Sequence, residues 1–460
     1  MITYFNAPPP NPRLKELMHA LIPAVIADQI AATMLGIVNS IMASNVSSVA
    51  IAGVGQVDAF NNIFVIFFSA LAAGGTVLAA QAAGCNNHES VNHIATQSMT
   101  FGLAISTFVS LLIFCLREPI LMFLYSSVDE SIHNASMDYF FWASLSIPCS
   151  FIIAQGGGLF RAVKDAKTPM RISILTNIIN LLAGYVLIIG LPGRTGLGAW
   201  GAGITIFLSR FIGACWTIWI IRFKGASVKI IPIKKYHLDK SIIQDCIKIG
   251  VPAACENGLY YLGRLVIQVM VSKMGALAIS ANQIVLSIYS IMTLVPNSYA
   301  LVTQTIVGNF AGKGNKKECA AASYHIGKIS LYTCLATLLF IMIFSRIICL
   351  AYTRDAEILN LASTALRVFA TSLLFWARAV IPGSSLRAMG ISWYPMAVNA
   401  STMWVFQVLF IAVIVIPLNW GVWGVWLGYG LSTAARAALY LLYEQKGKWL
   451  SNVKEQSGNI

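Results

Sequence analysis

Apolar runs longer than ~18 residues recur from residue 17 to residue 444, and a run of that length crosses a hydrocarbon layer of ~30 Å as a helix. In lipid, every backbone N–H and C=O must be satisfied within its own segment, so such runs fold as helices rather than as loops or open strands. The 460 residues are 57% hydrophobic and only 10% charged, where ordinary soluble domains carry about 25% charged residues. That leaves too little polar surface for a water-facing globule of this size. A soluble enzyme, a nucleic-acid-binding domain, a disordered chain and a secreted disulfide scaffold are excluded. The sequence predicts an all-α polytopic protein of the lipid bilayer.

Charge gives the orientation. Lys and Arg outnumber Asp and Glu by 31 to 17. Most of the excess falls in alternate connections between apolar runs, as the positive-inside rule requires, and so does not point to nucleic acid. One side collects Arg13 and Lys15; Arg161, Lys164, Lys167 and Arg171; the 222–248 segment; Lys313, Lys316 and Lys317; Arg387; and Lys446, Lys448 and Lys454. The other has Arg117, Arg194, Lys273, Arg346 and Arg354. Both termini and the long central connection are therefore expected on the cytoplasmic face of a cell (inner) membrane. Residues 1–13 lack a cleavable signal pattern, so the first apolar run is expected to be retained as a span. The nine cysteines form no CxxC or Cys/His spacing and the six histidines are scattered, so neither a metal site nor a cofactor is expected. No GxxxxGK[ST] phosphate loop is present, which leaves an ion gradient or the substrate's own gradient as the energy source.

Gly/Pro/Asn clusters and charge runs divide the chain into twelve predicted spans. They lie near 17–43, 59–83, 93–116, 136–160, 169–191, 197–221, 243–272, 278–311, 326–351, 358–386, 395–417 and 421–444. The corresponding domains are a cytoplasmic tail (1–16), an N-lobe (17–221), a basic linker at the lipid surface (222–242), a C-lobe (243–444) and a second tail (445–460). Three motifs repeat in order. Arg161-Ala-Val-x5-Pro169-Met170 matches Arg387-Ala-Met-x5-Pro395-Met396, offset by 226 residues; Ala199-Trp200-Gly201 matches Val422-Trp423-Gly424, offset by 223; Gly84 with Asn87 matches Gly312 with Asn315, offset by 228. They indicate a duplication. Six spans per half is an even number, so the halves insert in the same orientation about an axis along the membrane normal. A transporter with a cavity between two six-helix lobes is expected; a channel is more often assembled from identical subunits.

The chain also carries Val38 and Ser40 in the first span, Ala79-Ala80-Gln81-Ala82-Ala83-Gly84 closing the second, the Arg161–Pro169 stretch, and Asn177-Ile-Ile-Asn180. Its second half has Ile249-Gly250-Val251-Pro252, Ala281-Asn282-Gln283-Ile284, Val307-Gly308-Asn309-Phe310-Ala311-Gly312 and Ser385-Leu386-Arg387-Ala388-Met389-Gly390. In this order the motifs resemble the multidrug and toxic compound extrusion (MATE) transporters over about residues 15 to 445. The resemblance implies a V-shaped pair of six-helix lobes that exports mainly organic cations against H⁺ or Na⁺. Several positions depart from the family pattern. Asn39 and Gly184 stand where aspartates are common, and Trp376 and Tyr260 where one branch has acids. Gly390-Ile391-Ser392-Trp393 replaces the usual Gly-Asp-Thr-Arg. The resemblance thus implies the fold more directly than the coupling ion.

A charge inside hydrocarbon costs several kcal/mol, so each intramembrane ion is a functional candidate. Counted from the nearest basic residue at 1.5 Å per residue, Asp28 lies ~20 Å deep, Arg210 ~18 Å, Glu256 ~12 Å and Arg378 ~13 Å. Each half supplies one acid and one arginine at comparable depth, which predicts the pairs Asp28–Arg210 and Glu256–Arg378. Such pairs either hold helices together or let Glu256 or Asp28 exchange an ion as its cationic neighbour moves. Glu256 is the stronger candidate because Pro252, one turn before it, frees a backbone carbonyl. Arg264 either pairs with a carboxylate or carbonyl or selects an anionic substrate. Asn39, Asn180 and Gln283 fall in the resemblance's cavity motifs and, with Tyr260, are candidate substrate contacts; the amides serve equally as helix–helix hydrogen bonds. The expected function is a monomeric secondary antiporter, not an enzyme, that uses H⁺ or Na⁺ to export a small amphipathic organic molecule by rocking its lobes. The alternatives are a flippase-like exporter of an anionic or lipid-linked metabolite and a transport-inactive scaffold.

Overall fold

The computed structural model describes residues 9–44, 48–124, 129–191, 194–223, 228–230, 238–446, 448–450 and 453, with side chains described at these positions except 34–52, 124, 189, 191–195 and 448. Helices dominate: α1 (Pro12–Ser44), α2 (Ser48–Gly84), α3 (His88–Cys115), α4 (Arg117–Leu124), α5 (Glu130–Leu145), α6 (Ile147–Ala162), α7 (Lys167–Gly184), α8 (Gly198–Phe223), α9 (Lys240–Ser272), α10 (Ala276–Met292), α11 (Leu294–Gly312), α12 (Lys316–Leu350), α13 (Ala356–Ala388), α14 (Trp393–Met403) and α15 (Gly421–Gln445). One two-residue antiparallel pairing, Gly190–Leu191 with Arg194–Thr195, closes the turn between α7 and α8.

Ten of the twelve predicted spans fall on one α-helix or on two consecutive ones; 169–191 continues from α7 through a π-helical turn, Tyr185–Ile189, and 395–417 from α14 through two, Trp404–Leu409 and Ile411–Val415. Among the described residues, seven helices are long and apolar enough to cross a membrane, and up to nine if each of two bent pairs is one span. Helices α9 and α15 fall short of that test, and they carry Glu256 with Arg264 and Arg436 with Glu444 respectively, while α1 carries Asp28. The bent pairs are α5 with α6, at 40°, and α10 with α11, at 41°. Pro148 and Pro296 begin the second member of each pair, where a missing N–H loosens the ladder.

The duplicated motifs build duplicated turns. After α2, Asn86 takes a positive φ, Asn87 N–H reaches back to the Ala82 carbonyl, and the Asn87 side chain accepts from Ser90 N–H to start α3. After α11, Gly314 takes the positive φ, Asn315 N–H reaches the Phe310 carbonyl, and the Asn315 side chain accepts from Glu318 N–H to start α12. The same sequence of left-handed residue and amide cap stops one helix and starts the next at both places. Lys164 and Gly390 hold the equivalent positive φ after α6 and α13.

The chain divides into two compact units, Pro23–Ala254 and Met1–Ile22 with Cys255–Ile460. Both α1 and α9 therefore contribute to each unit, and both contain an internal proline near the division, Pro23 and Pro252. In the first unit α2 packs on α3, α5 and α6; in the second α13 packs on α10, α11, α12 and α15. The stretch 246–254 of α9 meets α2, with Ala253 and Ala254 packed on Ala70. A Cβ on Gly74 would strike the Cys246 carbonyl, and one on Gly250 would come within 2.7 Å of the Leu71 carbonyl. Reciprocal glycines of this kind let two backbones meet, which dispersion between helices requires in lipid. Of the predicted basic linker, residues 224–227 and 231–237 lie outside the described residues; Val228 is buried and Lys229 N–H donates to Asn92 on α3. Replacing Gly74 with Ala should separate α2 from α9 and destabilise the unit by about 1–3 kcal/mol, seen as a lower Tm of purified protein. An unchanged Tm would refute this close contact.

Candidate functional site

Each unit holds one buried acid clamped by an arginine and one further polar side chain, and the two clusters are copies of each other. In the first, Arg161 Nη1 lies 3.1 Å from Asp28 Oδ2, and the Ser173 hydroxyl donates to Asp28 Oδ1. Asn177, one turn along α7, donates to the Ala31 carbonyl of α1 at 2.6 Å. In the second, Arg387 Nη1 lies 2.9 Å from Glu256 Oε2 and 3.1 Å from Oε1, Asn399 donates to Oε1, and Tyr440 donates to Asn399 Oδ1 at 3.4 Å. The offsets from Asp28 to Glu256, Arg161 to Arg387 and Ser173 to Asn399 are 228, 226 and 226 residues. They are the offsets of the duplicated motifs. The side chains are between 9% and 19% exposed, so solvent screening is weak and each charge depends on its partner.

These clusters correct the predicted pairs. Asp28 meets Arg161, not Arg210, and Glu256 meets Arg387, not Arg378. Residue counting gives depth along a helix but not which face meets which neighbour, and it places Arg161 and Arg387 at helix ends. Their side chains instead run back along their own helices, past Gly157 in the first case, where a Cβ would lie 3.4 Å from Arg161 Nη1. Arg210 serves the break between α5 and α6: its Nη1 donates to the Ser146 hydroxyl at 2.7 Å. The groups acting on it electrostatically are Tyr139, Asp58 and Cys149, and Tyr139 donates to Asp58 at 3.1 Å. Arg378 instead acts electrostatically on Glu444 of α15, a buried carboxylate that accepts no hydrogen bond on either oxygen among the described residues.

Asn180 is fully buried and donates to Ser209 at 3.4 Å, a tie between α7 and α8. Gln283 is exposed; its neighbour Asn282 is the buried amide, accepting from Trp426 Nε1 at 3.2 Å. The side chain of Asn39 lies outside the described residues. Tyr260 and Arg264 join an aromatic cluster, in which Tyr429 donates to Tyr289 Oη at 2.8 Å and the Tyr260 and Tyr289 hydroxyls are 3.4 Å apart. Trp376 stacks on Tyr429, with ring centroids 6.1 Å apart, and the Arg264 guanidinium lies 6.0 Å over the Tyr260 ring. At an effective dielectric of about 20, a second cation about 5 Å from Arg264 would be repelled by roughly 3 kcal/mol.

Sequence reasoning passed over Arg161, Arg387, Ser173 and Asn399, although the duplication itself contained the signal: acid, arginine and third partner recur at one offset. Removing a single member of the second cluster, in Arg387→Ala, should cost about 3–5 kcal/mol, and removing both charges less than the sum of the singles. A double-mutant cycle on thermal stability checks it. Strong coupling of Glu256 to Arg378 in place of Arg387 would contradict the geometry.

The chain is similar to known proteins along nearly all its length. It is 25% identical to the probable multidrug resistance protein NorM of Thermotoga maritima over 443 residues, 95% of this chain and 93% of that one. The fold superposes with a TM-score of 0.88 on a MOP superfamily transporter from Pyrococcus furiosus, at 17% identity and covering 96% of each chain. A solved outward-facing multidrug resistance MATE family transporter gives 0.88 at 17% identity, covering 96% of this chain and 97% of that one. The MatE family model matches residues 24–186 and again residues 252–413, one stretch in each half. With those two stretches covering more than half of its length, the chain belongs to the MatE family and is a multi-pass membrane transporter.

Proposed function

We propose that this transporter is a secondary antiporter that exports amphipathic organic molecules, driven by inward movement of H⁺ or Na⁺, and that Glu256 and Asp28 carry the coupling. The observation that supports this reading is the pair of equivalent acid–arginine clusters on α1 and α9, each four or five residues beyond an internal proline. A proline removes one backbone hydrogen bond and leaves a carbonyl free, so the helix can bend there at low cost. Bending α9 at Pro252 would draw Glu256 away from Arg387 and Asn399. The carboxylate then needs another counter-charge, and a proton or Na⁺ supplies it. Restoring the clamp expels the ion, which is how a gradient drives a rocking cycle between inward and outward access. Both termini face the cytoplasm in this scheme, and one chain suffices for transport. Likeness to proteins described as multidrug resistance transporters supports the breadth of substrate.

The test uses purified protein in liposomes, a fluorescent amphipathic dye, and an imposed pH gradient followed by a Na⁺ gradient. Wild-type flux should follow one gradient, and Glu256→Gln, less heat-stable because Arg387 loses its partner but still folded and inserted at the assay temperature, should lose the gradient dependence while still binding the dye. Full coupled flux in that variant would remove Glu256 from the mechanism.

A further inference from the structure

Within the unit that contains Glu256, two arginines, Arg264 and Arg436, act on one cluster of tyrosines. Among the described residues, no carboxylate lies within ion-pair distance of Arg264 or Arg436. The groups that act electrostatically on Arg264 are all phenols, with Tyr260 first and then Tyr289, Tyr261 and Tyr429. Arg436, seven residues after Tyr429, also acts on that phenol, as Arg264 does, and its Nε is buried with no acceptor among the described residues. The arrangement follows from helical spacing: α9 presents Glu256, Tyr260 and Arg264 at intervals of four, and α15 presents Tyr429 and Arg436 seven apart. Arg264, Tyr260 and Tyr289 are half-buried, so the cluster opens to the surface of its unit. Glu256 cannot neutralise it, because Arg387 and Asn399 already occupy both carboxylate oxygens.

An arginine offers five N–H donors in a rigid fork that matches a carboxylate. The chain of phenols adds hydroxyl donors, and the half-buried rings of Tyr260 and Tyr289 add flat apolar surface. We infer that this cluster is the recognition subsite for the anionic group of the exported molecule, and that the cargo is an aromatic carboxylate rather than an organic cation. The inference rests on the export reading above and specifies its substrate.

Binding can be tested without a gradient. The purified protein is titrated with 2-naphthoate, the uncharged 2-naphthamide and 2-naphthylmethylammonium, followed by quenching of tryptophan fluorescence. Naphthoate should bind at least roughly tenfold more tightly than the amide, the scale of one hydrogen bond to a charged group, and the ammonium should bind most weakly. Arg264→Gln should erase the preference for naphthoate over the amide. Tyr289→Phe keeps the ring and the charge and should reduce that preference, which supplies a second reading if the arginine variant does not fold. Ammonium binding as tight as naphthoate binding, or a preference that survives Arg264→Gln in folded protein, overturns the proposal. Selective naphthoate binding with no gradient-driven flux would instead count against the antiport reading and leave this site standing. Coupled flux of an organic cation with no naphthoate preference would sink this proposal alone.

Discussion

A carboxylate held well below a membrane surface needs a cation beside it, because the uncompensated charge costs several kcal/mol in a low dielectric. Much of this structure follows from meeting that requirement twice. Asp28 and Glu256 lie on the first helix of each half, and Arg161 and Arg387 reach them from the ends of α6 and α13. Gly157 on α6 leaves room for the Arg161 guanidinium, and α7 and α14 add Ser173 and Asn399 to complete the hydrogen bonding. The internal prolines sit just before the acids. Helices α1 and α9 are thus held by charge neutralisation close to the internal prolines where they bend most easily.

The halves share a scaffold but not a chemistry. The first unit is braced near its helix break by Arg210, Ser146, Tyr139 and Asp58, a network whose acid and base both lie within the unit. At the break between α10 and α11 in the second, the Thr293 hydroxyl donates to the Tyr289 carbonyl. There the polar interior is a set of phenols and indoles flanked by Arg264 and Arg436. Duplication supplied two copies of the ion clamp, and divergence left one lobe with cationic donors facing aromatic rings. In the proposed scheme the shared part carries energy coupling and the divergent part recognition.

Much of the fold was legible in the sequence because lipid permits few solutions. Long apolar runs must be helices, and the repeated Gly84…Asn87 and Gly312…Asn315 motifs became the same turn because a left-handed residue followed by an amide cap ends one helix and begins another. The candidate acids were legible too, since Asp28 and Glu256 stand out against their apolar surroundings. Their partners were not. Arg161 and Arg387 look like boundary charges, and Arg210 and Arg378 look like buried ones, yet the first pair holds the acids and the second serves other groups. Gln283 and Asn282 are adjacent in sequence, and only the helix's rotation makes one exposed and the other buried.

The sequence by itself therefore determined the membrane environment, the helical class, the duplication and which acids must be neutralised, since these depend on composition and on spacing along the chain. The tertiary structure alone decided which arginine meets which acid, and that Tyr260, Tyr289, Tyr429 and Arg264 form one cluster from three helices. Those outcomes depend on the rotation of each helix about its axis and on the reach of long side chains, and a one-dimensional pattern fixes neither.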